Sequence, residues 1–141
     1  MEVQLADQNT NLKKLAEVLH QLRPQFSINN IAKQIKEQRE QGYQLAYISK
    51  NNTILCVAGF VFGKKLAWGK HIYVDDLVTN DEGRSQRAGA TMIKWLKQHA
   101  VEHDCQQLHL DSGVQRYMAH KFYLREGFII ASHHFSISPL T

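Results

Sequence analysis

The stretch Tyr73-Val74-Asp75-Asp76-Leu77-Val78-Thr79-Asn80-Asp81-Glu82-Gly83-Arg84-Ser85-Gln86-Arg87-Ala88-Gly89-Ala90 decides how the chain is read. Its first seven residues, with His71 and Ile72 before them, read as a strand. Two acids follow one another inside it. Neighbouring residues of a flat strand face opposite sides, so one acid points inward or a bulge intervenes. A polar loop starts at Asn80, and from Arg87 or Ala88 a helix begins. Met92, Ile93, Leu96 and Ala100 recur at helical spacing, with Lys94, Lys97 and Gln98 on the other side. A helix start carries N–H groups without intrahelical acceptors, and the dipole adds partial positive charge. Arg84 and Arg87 add full charges, and Gly89 lets the backbone come close to a ligand, so this is a site for a phosphate or diphosphate. Neither G-x-x-x-x-G-K-[ST] nor G-x-G-x-x-G occurs, so a nucleoside triphosphate or dinucleotide is not indicated.

Working upstream, Thr53 to Phe62 and Tyr43 to Ile48 are strand-like, with a turn at Lys50-Asn51-Asn52. Before them lie two amphipathic helices. One spans residues 10 to 22 and is closed by Pro24; the other starts at Ser27 and is stopped by Gly42. Val3 to Ala6 is a short first strand. Downstream, Gln107 to Leu110 is a strand and residues 115 to 126 a helix ended by Gly127. Phe128 to Ile137 reads as a last strand. The order β-α-α-β-β-β-α-β-α-β describes an α/β fold with a mixed sheet of about six strands and four helices.

The 141 residues, without a repeat or linker, suit a single domain over 1–141. Lys plus Arg number 17 against 13 Asp plus Glu, a formal charge of +4 that permits an anionic partner. The basic residues are spread out with no aromatic-basic stripe, so nucleic acid is not expected. No apolar run approaches a membrane span or a secretory signal. Two Cys, Cys56 and Cys105, exclude a disulfide scaffold and suit a cytoplasmic protein. The eight His form no H-E-x-x-H set; His99 and His103 share a helix face that reads as solvated, and no metal is expected.

Three segments together resemble the GNAT superfamily of N-acetyltransferases. Arg84-Ser85-Gln86-Arg87-Ala88-Gly89 is similar to the family's acyl-CoA loop, [Q/R]-x-x-G-x-[G/A], with Arg87 where the first Gly stands. A rival register starting at Gln86 fits less well. Tyr73 to Thr79 resembles the family's acid-acid-apolar-apolar strand. Ala119-His120-Lys121-Phe122-Tyr123-Leu124-Arg125-Glu126-Gly127-Phe128 resembles its closing A-x-x-x-Y-x-x-x-G-F, with Arg116 in place of the usual preceding Asn. With 13 residues left after Phe128, the family's seventh strand is expected to be absent or very short.

The resemblance implies the GNAT fold and acetyl transfer from acetyl-CoA to a primary amine, by direct attack in a ternary complex. The splayed parallel strands would be Asp75–Thr79 and Gln107–Leu110. Leu77, Val78 and Thr79 would line the pantetheine, with a backbone N–H near Leu77 on the thioester oxygen. Arg84, Ser85, Gln86, Arg87, Ala88, Gly89 and Ala90 would hold the diphosphate, and Phe122 would contact the cofactor. Tyr123 would protonate the departing thiolate and Asp75 would take the amine proton through water, with Asp76 holding the strand. Read by itself, Tyr123 is first a core aromatic, and His71 and Tyr73 are sheet residues or a lining of the amine site. An αL conformation at Arg87 would cost on the order of 1 kcal/mol. The alternative to an enzyme is a non-catalytic CoA-binding regulatory module of the same fold. The acceptor stays open between a small amine, an amino acid, an antibiotic and a protein Lys, and a homodimer is compatible with the fold.

Overall fold

The computed structural model describes all residues from Met1 to Thr141. It divides into two compact units, Met1–Leu110 and Asp111–Thr141.

The first unit is built on a five-stranded sheet in the order of the chain: β1 (Val3–Leu5), β2 (Gln44–Lys50), β3 (Thr53–Lys65), β4 (Gly69–Thr79) and β5 (Gln107–Leu110). The first four strands pair antiparallel, and β5 runs parallel to β4. Helices α1 (Leu12–Leu22) and α2 (Ile28–Arg39) form as their amphipathic spacing predicts. Asn11 caps the first through the N–H groups of Lys13 and Lys14, and Ser27 caps the second through Asn30. Leu15, Val18, Leu19 and Ile35 pack with Tyr43, Leu45 and Val57 into one core layer. On the other side, α4 (Ala88–Glu102) buries Met92, Ile93 and Leu96 completely. Burying such side chains contributes about 1.5–3 kcal/mol each. No helix is long and apolar enough to cross a membrane.

The loop after β4 is not wholly irregular. Asp81–Ser85 winds into a short helix, α3, capped by the Asn80 side chain on the Gly83 N–H at 2.7 Å. Asp81 and Glu82 in its first turn complement the dipole. Gly83 is required there, because a Cβ would stand 2.4 Å from the Leu55 carbonyl oxygen.

The second unit holds α5 (Tyr117–Arg125). Its end is a Schellman motif: Phe128 N–H donates to the Tyr123 carbonyl at 3.0 Å, Gly127 N–H to that of Leu124 at 3.2 Å, and Gly127 has φ of +100°. The Tyr123 and Phe128 rings meet edge to face, 5.7 Å apart. The expected last strand is not formed. Phe128–Ile137 pairs with no strand, and Ile129, Ile130, Phe135 and Ile137 stand largely exposed. Strand propensity expresses fit to a pleated, half-buried surface, and these residues meet none. The sheet therefore has five strands and the molecule five helices, in place of about six and four.

Candidate functional site

The two acids of β4 are accommodated by a bulge. Gly59 pairs with Asp76 but Phe60 with Val74, so Asp75 is the extra residue. Asp75 is exposed and Asp76 is half-buried. Arg23, just past α1, donates from Nη2 to Asp76 Oδ1 at 3.0 Å and from Nε to the same oxygen at 3.3 Å. The Tyr43 hydroxyl donates to Asp76 Oδ2 at 2.8 Å. Burial, and then the Asp76 charge, push the Tyr43 phenol well above its usual range, so it stays a donor. Asp76 thus fastens β4 to the α1 end and to the start of β2. Gly59 makes room for this, because a Cβ there would fall 1.7 Å from the Tyr43 hydroxyl. The cluster borders a cavity of about 110 Å³, lined also by Leu19, Phe26, Ile31 and Gln34.

Parallel pairing of β4 with β5 covers only His71↔Gln107 to Val74↔Leu110. Asp75 to Thr79 continue with β3 on one edge and no strand on the other. β5 therefore ends opposite Val74, and the expected pair of splayed strands is corrected: Gln107–Leu110 lies beside His71–Val74 and not beside Asp75–Thr79. Leu77 is buried, and Val78 and Thr79 are half-buried. At the end of the strand, Asn80 Nδ2 ties the chain back to the Ile54 carbonyl at 2.6 Å.

The loop then delivers the start of α4. Arg87 is the N-cap residue, left-handed at φ 60° and ψ 34°, and its side chain makes no capping bond. The N–H of Thr91 donates to the Arg87 carbonyl; those of Ala88, Gly89 and Ala90 come before the first intrahelical bond. Ala88 and Gly89 are buried, Ala90 is half-buried, and the Arg87 side chain is exposed. Arg84 is drawn back onto its own helix, donating to Asp81 and to the Thr79 carbonyl. Ser85 donates to the Glu82 carbonyl, and Gln86 accepts from Lys50 Nζ at 3.1 Å. Lys50 is a third cation of this loop. Sequence reading missed it because it lies in a hairpin remote along the chain.

A further group was visible only in part. On the β3–β4 hairpin, Trp68 stacks on His109 with centroids 3.4 Å apart and lies parallel to Tyr73 at 6.0 Å, with His71 edge-on at 5.1 Å. Lys65 Nζ sits 3.9 Å from the Trp68 ring centre and 5.9 Å from that of Tyr73. Neither Trp68 nor Lys65 was singled out in the sequence, because at the tip of a hairpin the side chains follow no clear periodicity.

In the second unit, Tyr123 is buried on α5 and Phe122 beside it is half-buried, their rings 5.4 Å apart. Tyr123 also occupies the position whose carbonyl closes the Schellman motif, so the Y-x-x-x-G-F spacing has a structural use of its own.

Neither cysteine is activated. Cys56 is fully buried, and burial pushes its thiol up to about 11; burial also raises that of Cys105. His99 departs from expectation: it is not on a solvated face but buried, stacked on Trp95 at 4.4 Å and beside His103 at 4.2 Å. Burial, then the neighbouring His103, lower its pKa.

Residues 12–128 match the acetyltransferase (GNAT) family. The chain is 27% identical over 120 residues to an uncharacterised N-acetyltransferase of Bacillus subtilis, YhdJ, covering 84% of each. Its fold superimposes on a ribosomal-protein-alanine N-acetyltransferase from Brucella melitensis biovar Abortus, with a TM-score of 0.82 and 14% identity over 97% of this chain and 99% of the other. It also superimposes on an aminoglycoside N-acetyltransferase solved with CoA, with a TM-score of 0.82 and 10% identity over 99% of this chain and 95% of the other.

Proposed function

Because the chain belongs to the GNAT acetyltransferase family, we propose that it is an acetyl-CoA-dependent N-acetyltransferase that acetylates a primary amine by direct attack in a ternary complex. The observation that carries this reading is the course of β4. It runs past the end of its parallel partner, which stops at Leu110 opposite Val74, continues through Asp75–Thr79 with no sheet strand on that edge, and leads through α3 to the start of α4. An unpaired strand edge offers amide partners to pantetheine, and a helix start offers N–H groups to a diphosphate.

Arg87 and the N–H groups of Ala88, Gly89 and Ala90 hold the diphosphate, with Arg84, Ser85, Gln86 and Lys50 around them. The β4 edge at Leu77, Val78 and Thr79 aligns the pantetheine, with Phe122 as a further cofactor contact. A backbone N–H near Leu77 supports the negative charge that grows on the thioester oxygen as the amine nitrogen attacks the carbonyl carbon. Asp75 accepts the amine proton through a water. The carbon–sulfur bond then breaks, and Tyr123 gives its hydroxyl proton to the thiolate. A phenol, ordinarily of pKa near 10, is available in the protonated form at neutral pH. Tyr123 enters on the likeness of its helix motif to the family's. No metal is required, and the proposal takes 1–141 as one cytoplasmic domain.

A second reading, a non-catalytic CoA-binding module, is favoured by one observation: Arg87 stands in the left-handed conformation where the family's loop carries Gly. Calorimetric titration with acetyl-CoA and a screen of primary amines with free-thiol detection decide between them. Binding together with amine-dependent thiol release is the expected result. Binding without release on any amine selects the second reading. Failure to bind below millimolar acetyl-CoA overturns both.

A further inference from the structure

The face of the β3–β4 hairpin carries a feature that the acetyl-transfer reading leaves unused. His109 lies against Trp68 with centroids 3.4 Å apart. A ring at that distance occupies one face of the indole, so the Lys65 ammonium, 3.9 Å from the same ring centre, covers the other. Tyr73 lies parallel to both rings, within 18° of Trp68 and 7° of His109. Lys65 takes no part in the ion pairs that join Arg23, Arg84, Arg125 and His134 to acids. Its ammonium is held by the faces of Trp68 and Tyr73, which attract cations through their negative ring faces.

This seat adjoins the proposed reaction centre. Tyr73 pairs with Val61, which packs on the α1–α2 core layer, and cross-strand partners share a face. Asp76, bonded to Tyr43, faces the same way. The bulged Asp75 lies between these two residues, about 7 Å of strand beyond Tyr73.

We propose that the Trp68–Tyr73 face is a specificity subsite for a second positive charge on the acceptor, and that the acceptor class is short aliphatic diamines and polyamines. This rests on the acetyltransferase reading. One amine of the acceptor lies at Asp75, where it loses a proton and attacks. The other stays an ammonium, as aliphatic amines of pKa near 10.4 do at neutral pH, and sits on the Trp68 and Tyr73 rings. Lys65 is the resident placeholder, and it swings out to solvent when the acceptor enters. Lys65 is exposed, so its ammonium has solvent to move into when it leaves the rings.

The test compares 1,4-diaminobutane with pentylamine, a monoamine of similar length, on the full chain. Expected is a kcat/KM at least about tenfold higher for the diamine, the factor a cation–π contact of about 1.4 kcal/mol supplies. Trp68→Leu brings that ratio close to one. Lys65→Met raises diamine affinity, because the competing cation is gone; a merely structural Lys65 would lower or not change it. Equal use of both amines by the wild-type chain overturns the proposal, as does an unchanged ratio in Trp68→Leu. If no amine at all is acetylated, the acetyltransferase reading fails separately. Calorimetry of the two amines with the protein alone then decides the subsite: diamine binding that Trp68→Leu abolishes supports it, and equal or absent binding of both amines overturns it.

Discussion

Arg87 and Tyr43 carry the two most informative single-residue arguments. At φ 60°, Arg87 bears the cost of a left-handed non-glycine residue, about 1–2 kcal/mol. Glycine removes that cost but adds about 0.4–1 kcal/mol of unfolded-state entropy. Arg87→Gly is therefore expected to raise the unfolding free energy by about 0.5 kcal/mol, read as a higher denaturant midpoint. Its acetyl-CoA affinity is expected to fall several-fold, with a weaker dependence on salt, because one full charge leaves the helix start. A stability loss would show that the side chain is held by contacts worth more than the strain. Tyr43 makes an alkaline prediction. Its folded pKa is raised while the unfolded phenol titrates near 10, so above pH 10 the unfolded chain has released a proton that the native one retains. Stability is full below pH 10 and falls as pH rises past it. Tyr43→Phe loses the bond to Asp76, about 1.5–3 kcal/mol for a charged partner, and flattens that slope. Denaturant melts at pH 8, 10 and 11 measure both effects.

At the scale of elements, α5 shows why one short pattern has two readings. Tyr123, Gly127 and Phe128 are spaced as a helix end requires, with the carbonyl, the left-handed residue and the closing aromatic in the right order. Gly127→Ala places a Cβ at φ +100° and is expected to cost about 1 kcal/mol or more, read as a lower melting temperature. The bulge in β4 was legible as one of two outcomes, an inward acid or a bulge, because neighbouring residues of a flat strand face opposite sides. The start of α2 at Ser27 and the buried stripe of α4 were legible for the same kind of reason: local chemistry fixes them. The last strand was not. Its β-branched residues state a preference that only a neighbouring strand can satisfy, and no neighbour is written in a single segment. Helix α3 was missed because five polar residues show no apolar period.

For the molecule as a whole, family membership was readable from three segments that lie far apart in the chain but keep their spacing within each segment. The candidate site was named from the sequence only in part. The loop, the β4 acids and Tyr123 were named, whereas Lys50, Arg23 and Trp68 were not, because each reaches its place only through folding. Arg84 shows the converse: a charge counted toward the diphosphate from sequence is partly neutralised by Asp81 one helical turn away. The catalytic proposal makes its own prediction at this scale. Tyr123→Phe keeps the ring that packs against Phe128 and removes only the hydroxyl. Turnover is expected to fall by a factor on the order of 10²–10⁴, typical of a lost general acid, with acetyl-CoA affinity within a few-fold of the wild type. Equal turnover in the two proteins would remove Tyr123 from the mechanism.

The extra residue in β4 also acts as a phase shift in the strand. Before it, odd-numbered positions, His71 and Tyr73, look toward the α1–α2 layer; after it, even-numbered ones, Asp76 and Val78, do. A cysteine-labelling scan along 70–79 will therefore break its alternation at Asp75. Anyone reshaping the amine-facing wall should vary 71, 73 and 76 as one set, since a library built on every second residue would cross to the opposite side of the sheet halfway along.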